Sequence, residues 1–355
     1  MILLRDGQNG SVRYVAMQDS SLVYEGPRAL VNEQQFLEQL DRLQKCLTDS
    51  ETRPSESDLK KFGQDLADAL FPGEIRQLMR NSGPDGVKLG ICCDDNSLKR
   101  IPWEYIVCPG DRSAPVSNKS VARIVPISSG SGSGPTMLKK RKLRVALVVA
   151  DPSDMNALPW EQLERTLRDM FKSYLDQKNA TDLIDLQTFG GVTRNDLRQK
   201  LSKTPFDIIH FIGHGDSDGL YMLNKLNGQA QLVPTQSVIN IFAFPSVQLV
   251  ILSACSTAEV RKATTIGPLA EELVSQQVPA VVGSQLPIPD STSADFCTSL
   301  YSKLLENGDI DDAVTEGRIA LQTNLRSTGD SAAIEWGIPV LYRRPGRSKL
   351  FERPQ

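Results

Sequence analysis

The chain has 355 residues, enough for one large domain or two ordinary ones, and its hydrophobic content of 40% is typical of a globular protein with a substantial core. Its 40 lysines and arginines nearly balance 43 aspartates and glutamates, so the formal charge of -3 gives no argument for nucleic-acid or anionic-membrane binding. One basic run, residues 139–142, is a candidate contact patch, although a solvated approach to a strand is the simpler interpretation.

The sequence also gives evidence about the cellular compartment of the protein and about metal binding. The apolar run at the start is too short for a secretory signal, and no window approaches the ~18 apolar residues of a membrane span. The six cysteines show neither CxxC nor another metal-ligand spacing, which indicates thiols in a reducing compartment. We therefore predict a cytoplasmic protein with no membrane segment and no metal.

The front part of the chain, residues 1–127, indicates a small α+β region. A Gly/Ser-rich stretch follows and, with the basic run, predicts a linker over 128–142. A phosphate loop is the alternative for this stretch, but Pro135 and charged residues follow where such a loop requires a helix. The elements predicted before the linker are β structure within 1–26, helices at 32–48 and 57–70, and short strands at 89–93, 106–107 and 121–125.

The pattern changes at residue 143, where a nearly continuous apolar run is typical of a strand buried on both faces. Strands then alternate with helices to residue 345, which predicts a largely parallel sheet covered by helices on both faces, with a tail at 346–355. The predicted strands are 143–150, 183–189, 206–212, 247–252, 280–283 and 338–342, with a hairpin around Asn227–Gly228; the predicted helices are 160–176, 193–201, 268–276, 291–305 and 310–321.

The two histidines of the chain, His210 and His214, lie four residues apart in the stretch DIIHFIGHGD, residues 207–216. The strand over 206–212 is predicted to end before His214, and the strand over 247–252 to end before Cys255. Active sites of open α/β sheets gather beyond the carboxyl ends of the strands. These two side chains are therefore expected at one edge, whereas His210, inside its strand, is expected to be a hydrogen-bonded core residue.

A cysteine and a histidine in this arrangement suit nucleophilic catalysis. A thiol near its ordinary pKa is mostly protonated at neutral pH, and a nearby imidazole can remove the proton and later return it to a leaving amine. Gly213 and Gly215 are expected to let the backbone turn at His214, and the N–H groups of Gly215 and Cys255 are candidate oxyanion donors. The structural alternative is a core thiol and a histidine that caps its strand.

These motifs resemble those of CHAT-domain peptidases in the caspase and separase superfamily. The likeness covers roughly residues 60–345, and it places the nucleophile at Cys255 and the base at His214. It implies a caspase-like αβα sandwich with a mostly parallel central sheet, endopeptidase activity on a protein substrate, and no cofactor. The matching stretches are HFIGHG at 210–215, LVILSAC at 249–255, VPAVVGS at 278–284, EGRIAL at 316–321 and EWGIPV at 335–340, with IPWE at 101–104.

The resemblance also implies a role in bacterial defence or regulated cell death. Many members carry tetratricopeptide repeats or other sensor modules, and this sequence shows none, so we expect the activator or sensor to be a separate protein or a region missing from this sequence. Residues 215–231 and 256–266 border the predicted dyad and are expected to be loops ordered by a partner or by cleavage, with Arg261–Lys262 a candidate processing site. The alternative function is a catalytically silent CHAT interaction module, which has no need of an intact pair.

Two acidic residues are candidates for substrate binding. The resemblance places the substrate loop directly after residue 284, and Asp290 at its end could pair with Arg or Lys at the P1 position. Asp151, after the first sheet strand, is the second candidate. For both residues the alternative is the capping of a helix N-terminus, because aspartate is a favoured N-cap.

Overall fold

The computed structural model divides the chain into two compact units, residues 1–124 with 318–338, and residues 125–317 with 339–355. The predicted linker over 128–142 lies almost wholly outside the described residues. The structure describes residues 2–6, 11–18, 21–25, 29–30, 55–71, 73, 76–77, 88–92, 99, 101–107, 120–126, 142–254, 267–285, 290–325, 335–346 and 348–352.

The first unit is an α+β arrangement, as predicted. Its strands follow the order β6-β5-β1-β2-β3, with β4 on β2; β6, β5 and β1 are parallel, and the others are antiparallel. The strand predicted at 106–107 is wrong, because a 3-10 turn at Trp103–Tyr105 ends there. The helix predicted at 32–48 lies outside the described residues. The bounds are β1 Ile2–Asp6, β2 Ser11–Gln18, β3 Ser21–Glu25, β4 Ala29–Leu30, α1 Glu56–Leu70, β5 Leu89–Cys92 and β6 Val121–Ile124.

Local chemistry accounts for where α1 begins. Ser55 is its N-cap and accepts a hydrogen bond from the backbone N–H of Asp58, while the Asp58 carboxylate accepts from the backbone N–H of Ser55 at 3.0 Å. This reciprocal capping box satisfies two N–H groups that the first turn leaves without helical partners.

Glu104, in the stretch that resembles the Pro-Trp-Glu element of the family, has a structural role in the first unit. Its carboxylate accepts two hydrogen bonds from the Arg123 guanidinium, at 3.1 and 3.0 Å, and its side chain is fully buried. Arg123 also donates to the carbonyl oxygen of Ile101. The pair is buried and multiply hydrogen-bonded, so loss of one partner would leave an uncompensated charge in the interior.

The second unit is built on a sheet in which β8, β7, β9, β12 and β13 are parallel and β14 pairs antiparallel with β13. This confirms the mostly parallel sheet. The strands are β7 Leu143–Val149, β8 Ile184–Phe189, β9 Ile208–Asp216, β10 Gly219–Leu223, β11 Ala230–Pro234, β12 Leu249–Ala254, β13 Ala280–Ser284 and β14 Pro339–Arg343. The helices are α2 Trp160–Gln177, α3 Arg194–Lys203, α4 Thr235–Phe242, α5 Gly267–Gln276, α6 Asp290–Asn307 and α7 Ile310–Leu325, which begins in this unit.

Helices cover both faces of this sheet, which confirms the αβα sandwich. On one face, the core joins Ile209 and Phe211 of β9 to apolar residues of α3, α4 and α5. On the other face, His210 lies against Tyr301 of α6, which in turn contacts Phe171 of α2 edge to face at 5.3 Å. Successive residues of a strand point to opposite faces, so His210, Ile212 and His214 share the face covered by α2 and α6.

Two expectations for this unit are corrected, and one is confirmed. β9 does not stop at residue 212 but continues to Asp216 and pairs antiparallel with β10, so residues 215–231 are not an irregular loop. The hairpin predicted around Asn227–Gly228 is confirmed by the pairing of β10 with β11. Helix α4 was not predicted, because its β-branched residues favour strands; burial of its Val238, Ile239, Ile241 and Phe242 overrides that preference.

Candidate active site

The sheet register brings the residues that directly precede the predicted pair, Gly213 and Ala254, to neighbouring positions. β9 and β12 pair in parallel from Leu249 with Ile208 up to Ala254 with Gly213. In the sequence, His214 follows Gly213 and Cys255 follows Ala254. Cys255 itself lies outside the described residues, as do residues 256–266 with the candidate processing site.

His214 is buried, with 2% of its surface exposed, and its Nε2 atom lies 3.0 Å from the carbonyl oxygen of Asn156. A carbonyl oxygen only accepts hydrogen bonds, so Nε2 carries the proton and donates it. In the neutral ring the lone pair that can accept a proton is then on Nδ1. Sequence analysis missed Asn156, because a contact through a backbone carbonyl leaves no mark in side-chain patterns.

The loop that presents Asn156, between β7 and α2, is attached to the β10–β11 hairpin. Asp154 Oδ1 accepts a hydrogen bond from the backbone N–H of Ala230 at 2.6 Å. The backbone N–H of Ser153 donates to the carbonyl oxygen of Gly228 at 3.3 Å. Because β10 pairs with β9 at His214, the hairpin is connected both to the histidine and to the loop that orients its ring.

The glycines around His214 have a different role from the predicted one. The backbone does not turn at Gly213; a Cβ there would lie 2.5 Å from the Phe211 ring and 3.1 Å from the carbonyl oxygen of Ala150. Gly213 therefore allows close packing within a continuous strand. Gly215 pairs with Leu220 of β10, so it too lies in a strand and not in a turn.

His210 is fully buried and hydrogen-bonded, as its place inside the strand predicted. Its Nε2 lies 2.9 Å from Oγ of Ser253, and its Nδ1 lies 3.3 Å from the Tyr301 hydroxyl. Burial lowers the pKa of the imidazole to about 3, so the ring is neutral at physiological pH. A neutral ring that donates from Nε2 to Ser253 can accept at Nδ1 from Tyr301, which satisfies both nitrogens.

Cys297 of α6 is the second thiol near a histidine. Its sulfur lies 3.9 Å from Nε2 of His210, and the residue is buried. Burial raises the pKa of this thiol to about 12, so it is protonated and unreactive at neutral pH. The pair of Cys297 and His210 therefore packs as core.

The two acidic candidates differ in what surrounds them. Asp151 follows β7, is partly buried, and its buried Oδ1 has no hydrogen-bond partner among the described residues. It caps no helix, because α2 begins at Trp160 with Pro159 as its N-cap. Asp290 is the first residue of α6, and residues 286–289 of the expected substrate loop lie outside the described residues.

Within the described part of the chain, no group of three or more His, Cys, Asp or Glu residues is placed to hold a metal ion. Among the same residues, no helix combines the length and apolar character needed to cross a membrane.

Comparison with known proteins identifies the family. The model of the CHAT domain matches residues 60–344. The chain belongs to the CHAT domain family. This CHAT chain has no match among curated proteins. The expected family is therefore confirmed over most of the sequence.

Two solved structures are similar to this CHAT chain. One is separase from Saccharomyces cerevisiae in its complex with securin, with 16% identity and a TM-score of 0.45 over 75% of this chain and 16% of that chain. The other is Porphyromonas gingivalis RgpB, a complex of its pro- and mature domains, with 12% identity and a TM-score of 0.49 over 81% of this chain and 71% of that chain. The CHAT chain thus spans less than a fifth of the separase chain.

Proposed function

We propose that this CHAT protein is a cysteine endopeptidase that uses Cys255 as nucleophile and His214 as base. The observation that supports this most is the parallel pairing of Ala254 with Gly213. The residue that follows each of them in the sequence, Cys255 and His214 respectively, is the predicted catalytic one. Because side chains alternate along a strand, Cys255 and His214 would share one face of the sheet. It is the face on which Ser253, two residues before Cys255, contacts His210, four residues before His214.

The orientation of the ring assigns the atoms. With Nε2–H bonded to the Asn156 carbonyl, Nδ1 of His214 takes the proton of the Cys255 thiol as sulfur attacks the substrate carbonyl carbon. The negative charge moves to the carbonyl oxygen, where the N–H groups of Gly215 and Cys255 are the proposed donors; such donors are worth about 3 kcal/mol each in other enzymes.

Collapse of this intermediate breaks the carbon–nitrogen bond, and His214 gives its proton to the departing amine. His214 then removes a proton from water, which hydrolyses the thioester and releases the acid product with the thiol restored. The Asn156 carbonyl holds the ring in one orientation through these proton transfers, without itself changing charge.

For the substrate, we propose a basic P1 residue bound by Asp151. A buried carboxylate oxygen with no partner is costly, and an arginine from the substrate would satisfy it with a charge-assisted, bidentate pair. Asp290 remains the second candidate. The proposal also includes regulated proteolysis in the cytoplasm in bacterial defence or cell death, under a separate activator, which the resemblance to CHAT peptidases implies.

The test of this function is labelling by a thiol-directed peptide probe with an arginine at P1, followed by cleavage-site profiling on a denatured proteome. We expect the probe to modify Cys255 and profiling to return cuts after basic residues. Modification of other cysteines alone, with no cleavage, would instead favour the silent interaction module.

A further inference from the structure

Next to His214, the β10–β11 hairpin carries an exposed apolar strip. The register pairs His214 with Tyr221, and Tyr221 with Leu232, and residues directly opposite in a ladder project from the same face. Tyr221 is partly exposed, and 37% of Leu232 is exposed. Tyr221 and Leu232, the two partly exposed side chains that continue this row from the buried His214, are called the hairpin strip below.

The opposite face of the same hairpin is part of the core. Leu220 and Met222 are fully buried, and Val233 is 2% exposed. The hairpin strip thus lies on the face of the hairpin that is partly exposed among the described residues. Of the described residues, the two large hydrophobic side chains that are strongly exposed, Leu226 and Leu232, both belong to this hairpin.

The strip is held in a fixed geometry. The Tyr221 hydroxyl donates to Oδ2 of Asp216 at 2.9 Å, while Oδ1 of Asp216 accepts from the backbone N–H groups of Asp218 and Gly219. At the other end of the hairpin, the backbone N–H of Ala230 donates a hydrogen bond to the Asp154 carboxylate. The Tyr221 hydroxyl is therefore hydrogen-bonded to Asp216, and the apolar ring of Tyr221 lies beside His214.

The strand order alone does not decide which part of a substrate could reach this strip, because β7, which precedes Asp151, pairs with the same edge of β9 as the hairpin; the position of the base decides it. Strands run in the order β11-β10-β9-β12, so β9 with His214 lies between the nucleophile strand and the hairpin. In the proposed reaction the acyl part of the substrate stays on the sulfur, whereas the departing amine takes its proton from His214. The chain that follows the scissile bond is thus directed across β9 towards β10 and β11.

We infer that the hairpin strip binds the substrate on the C-terminal side of the scissile bond and selects an apolar side chain there. Neighbouring strands are about 4.8 Å apart, so Leu232 lies about 10 Å from His214 across the sheet. An extended peptide rises about 3.3 Å per residue, so the third residue after the scissile bond would contact Leu232. This inference depends on the proposed peptidase function.

The test compares two substrates with identical residues before the scissile bond. One ends in a small chromogenic amine, and the other continues for four residues with leucine at the third position. Leu232→Ser is expected to lower kcat/KM for the extended substrate about tenfold, mostly through KM, and to leave the chromogenic substrate unchanged. The matched control is Gln231→Ser, an exposed neighbour on the opposite face, which should change neither value.

Three outcomes would contradict the inference. An equal loss on both substrates would mean that Leu232 supports the fold of the site, and no loss on either would mean that the strip binds no substrate. A concentration-dependent dimer that Leu232→Ser dissociates in sedimentation velocity, with both cleavage rates unchanged, would assign the strip to self-association. Failure of the wild-type protein on both substrates, together with no labelling of Cys255 by the thiol-directed probe, would instead overturn the peptidase proposal itself.

Discussion

His210 and His214 lie on the same face of β9 and are both buried, but they have different hydrogen-bond partners. The ring of His210 is enclosed by Ser253, Cys297 and Tyr301, while Nε2 of His214 is hydrogen-bonded to Asn156 in the loop after β7. One strand thus supplies a histidine to the core and, four residues later, a histidine to the edge of the sheet.

This difference predicts that alanine variants of the two histidines differ in their effects on cleavage and on stability. His214→Ala should abolish peptide cleavage, and because the His214 side chain is also buried it should lower the free energy of unfolding by about 2 kcal/mol. His210→Ala should cost about 3 kcal/mol of stability, because it empties a buried site and leaves the Ser253 and Tyr301 hydroxyls without their partner. Urea unfolding and cleavage assays on both variants check this. Equal catalytic loss with unchanged stability in both would contradict this prediction.

The buried imidazole also predicts a pH dependence of stability. The pKa of His210 falls from 6.5 in the unfolded chain to about 3 in the folded one. Between these values the unfolded state binds the additional proton, so stability falls as the pH drops below 6.5. From pH 7 to pH 5 the loss from this group is about 2 kcal/mol.

The matched variant for this effect is His210→Gln, which keeps hydrogen-bonding capacity but does not titrate. Its unfolding free energy, measured by urea at both pH values, should change less than that of the wild type by about 2 kcal/mol. Parallel curves for the two proteins would show that His210 is not buried in the neutral form.

Several parts of this architecture could be predicted from local sequence, and others could not. The apolar run before Ala150 and the alternation that follows indicated the sandwich, and the position of His210 inside a strand indicated burial. Its partners Ser253 and Tyr301 lie 43 and 91 residues away in sequence, so only the folded chain shows them.

The course of the chain from β9 into the hairpin could not be predicted from the sequence either, for a different reason. Gly213 and Gly215 indicated a chain turn at His214, whereas in the structure Gly213 makes room for the Phe211 ring and the strand continues. Whether a glycine marks a turn or a close contact depends on neighbours that local pattern does not contain. The same holds for α4, whose burial outweighs its local preference.

The attachment of the hairpin predicts that Asp154 positions the base. Asp154→Ala removes the acceptor for the Ala230 N–H and should let the Asn156 carbonyl move, which would lower kcat about tenfold with little change in KM or stability. Asp169→Ala, at an exposed position of α2, is the matched control. An unchanged kcat, or a loss confined to KM, would contradict a positioning role.

Asp151 and Asp290 make separable predictions about specificity. Asp151→Asn should weaken cleavage after arginine at least tenfold relative to cleavage after glutamine, because it removes the charge that pairs with guanidinium. Asp290→Ala should leave the P1 preference unchanged and cost about 1 kcal/mol of stability if it caps α6. Profiling the cleavage sites of both variants checks this; a preference that shifts in Asp290→Ala alone would reverse the assignment.

The most direct measurement of the central claim is the cleavage rate of Cys255→Ala beside that of Cys297→Ala, with an arginine-containing peptide and with melting temperatures recorded for both. We expect no detectable cleavage and an unchanged melting temperature for Cys255→Ala. Cys297→Ala should cleave at close to the wild-type rate and melt at a lower temperature, because it truncates a buried residue. Cleavage by Cys255→Ala at the wild-type rate would contradict the account.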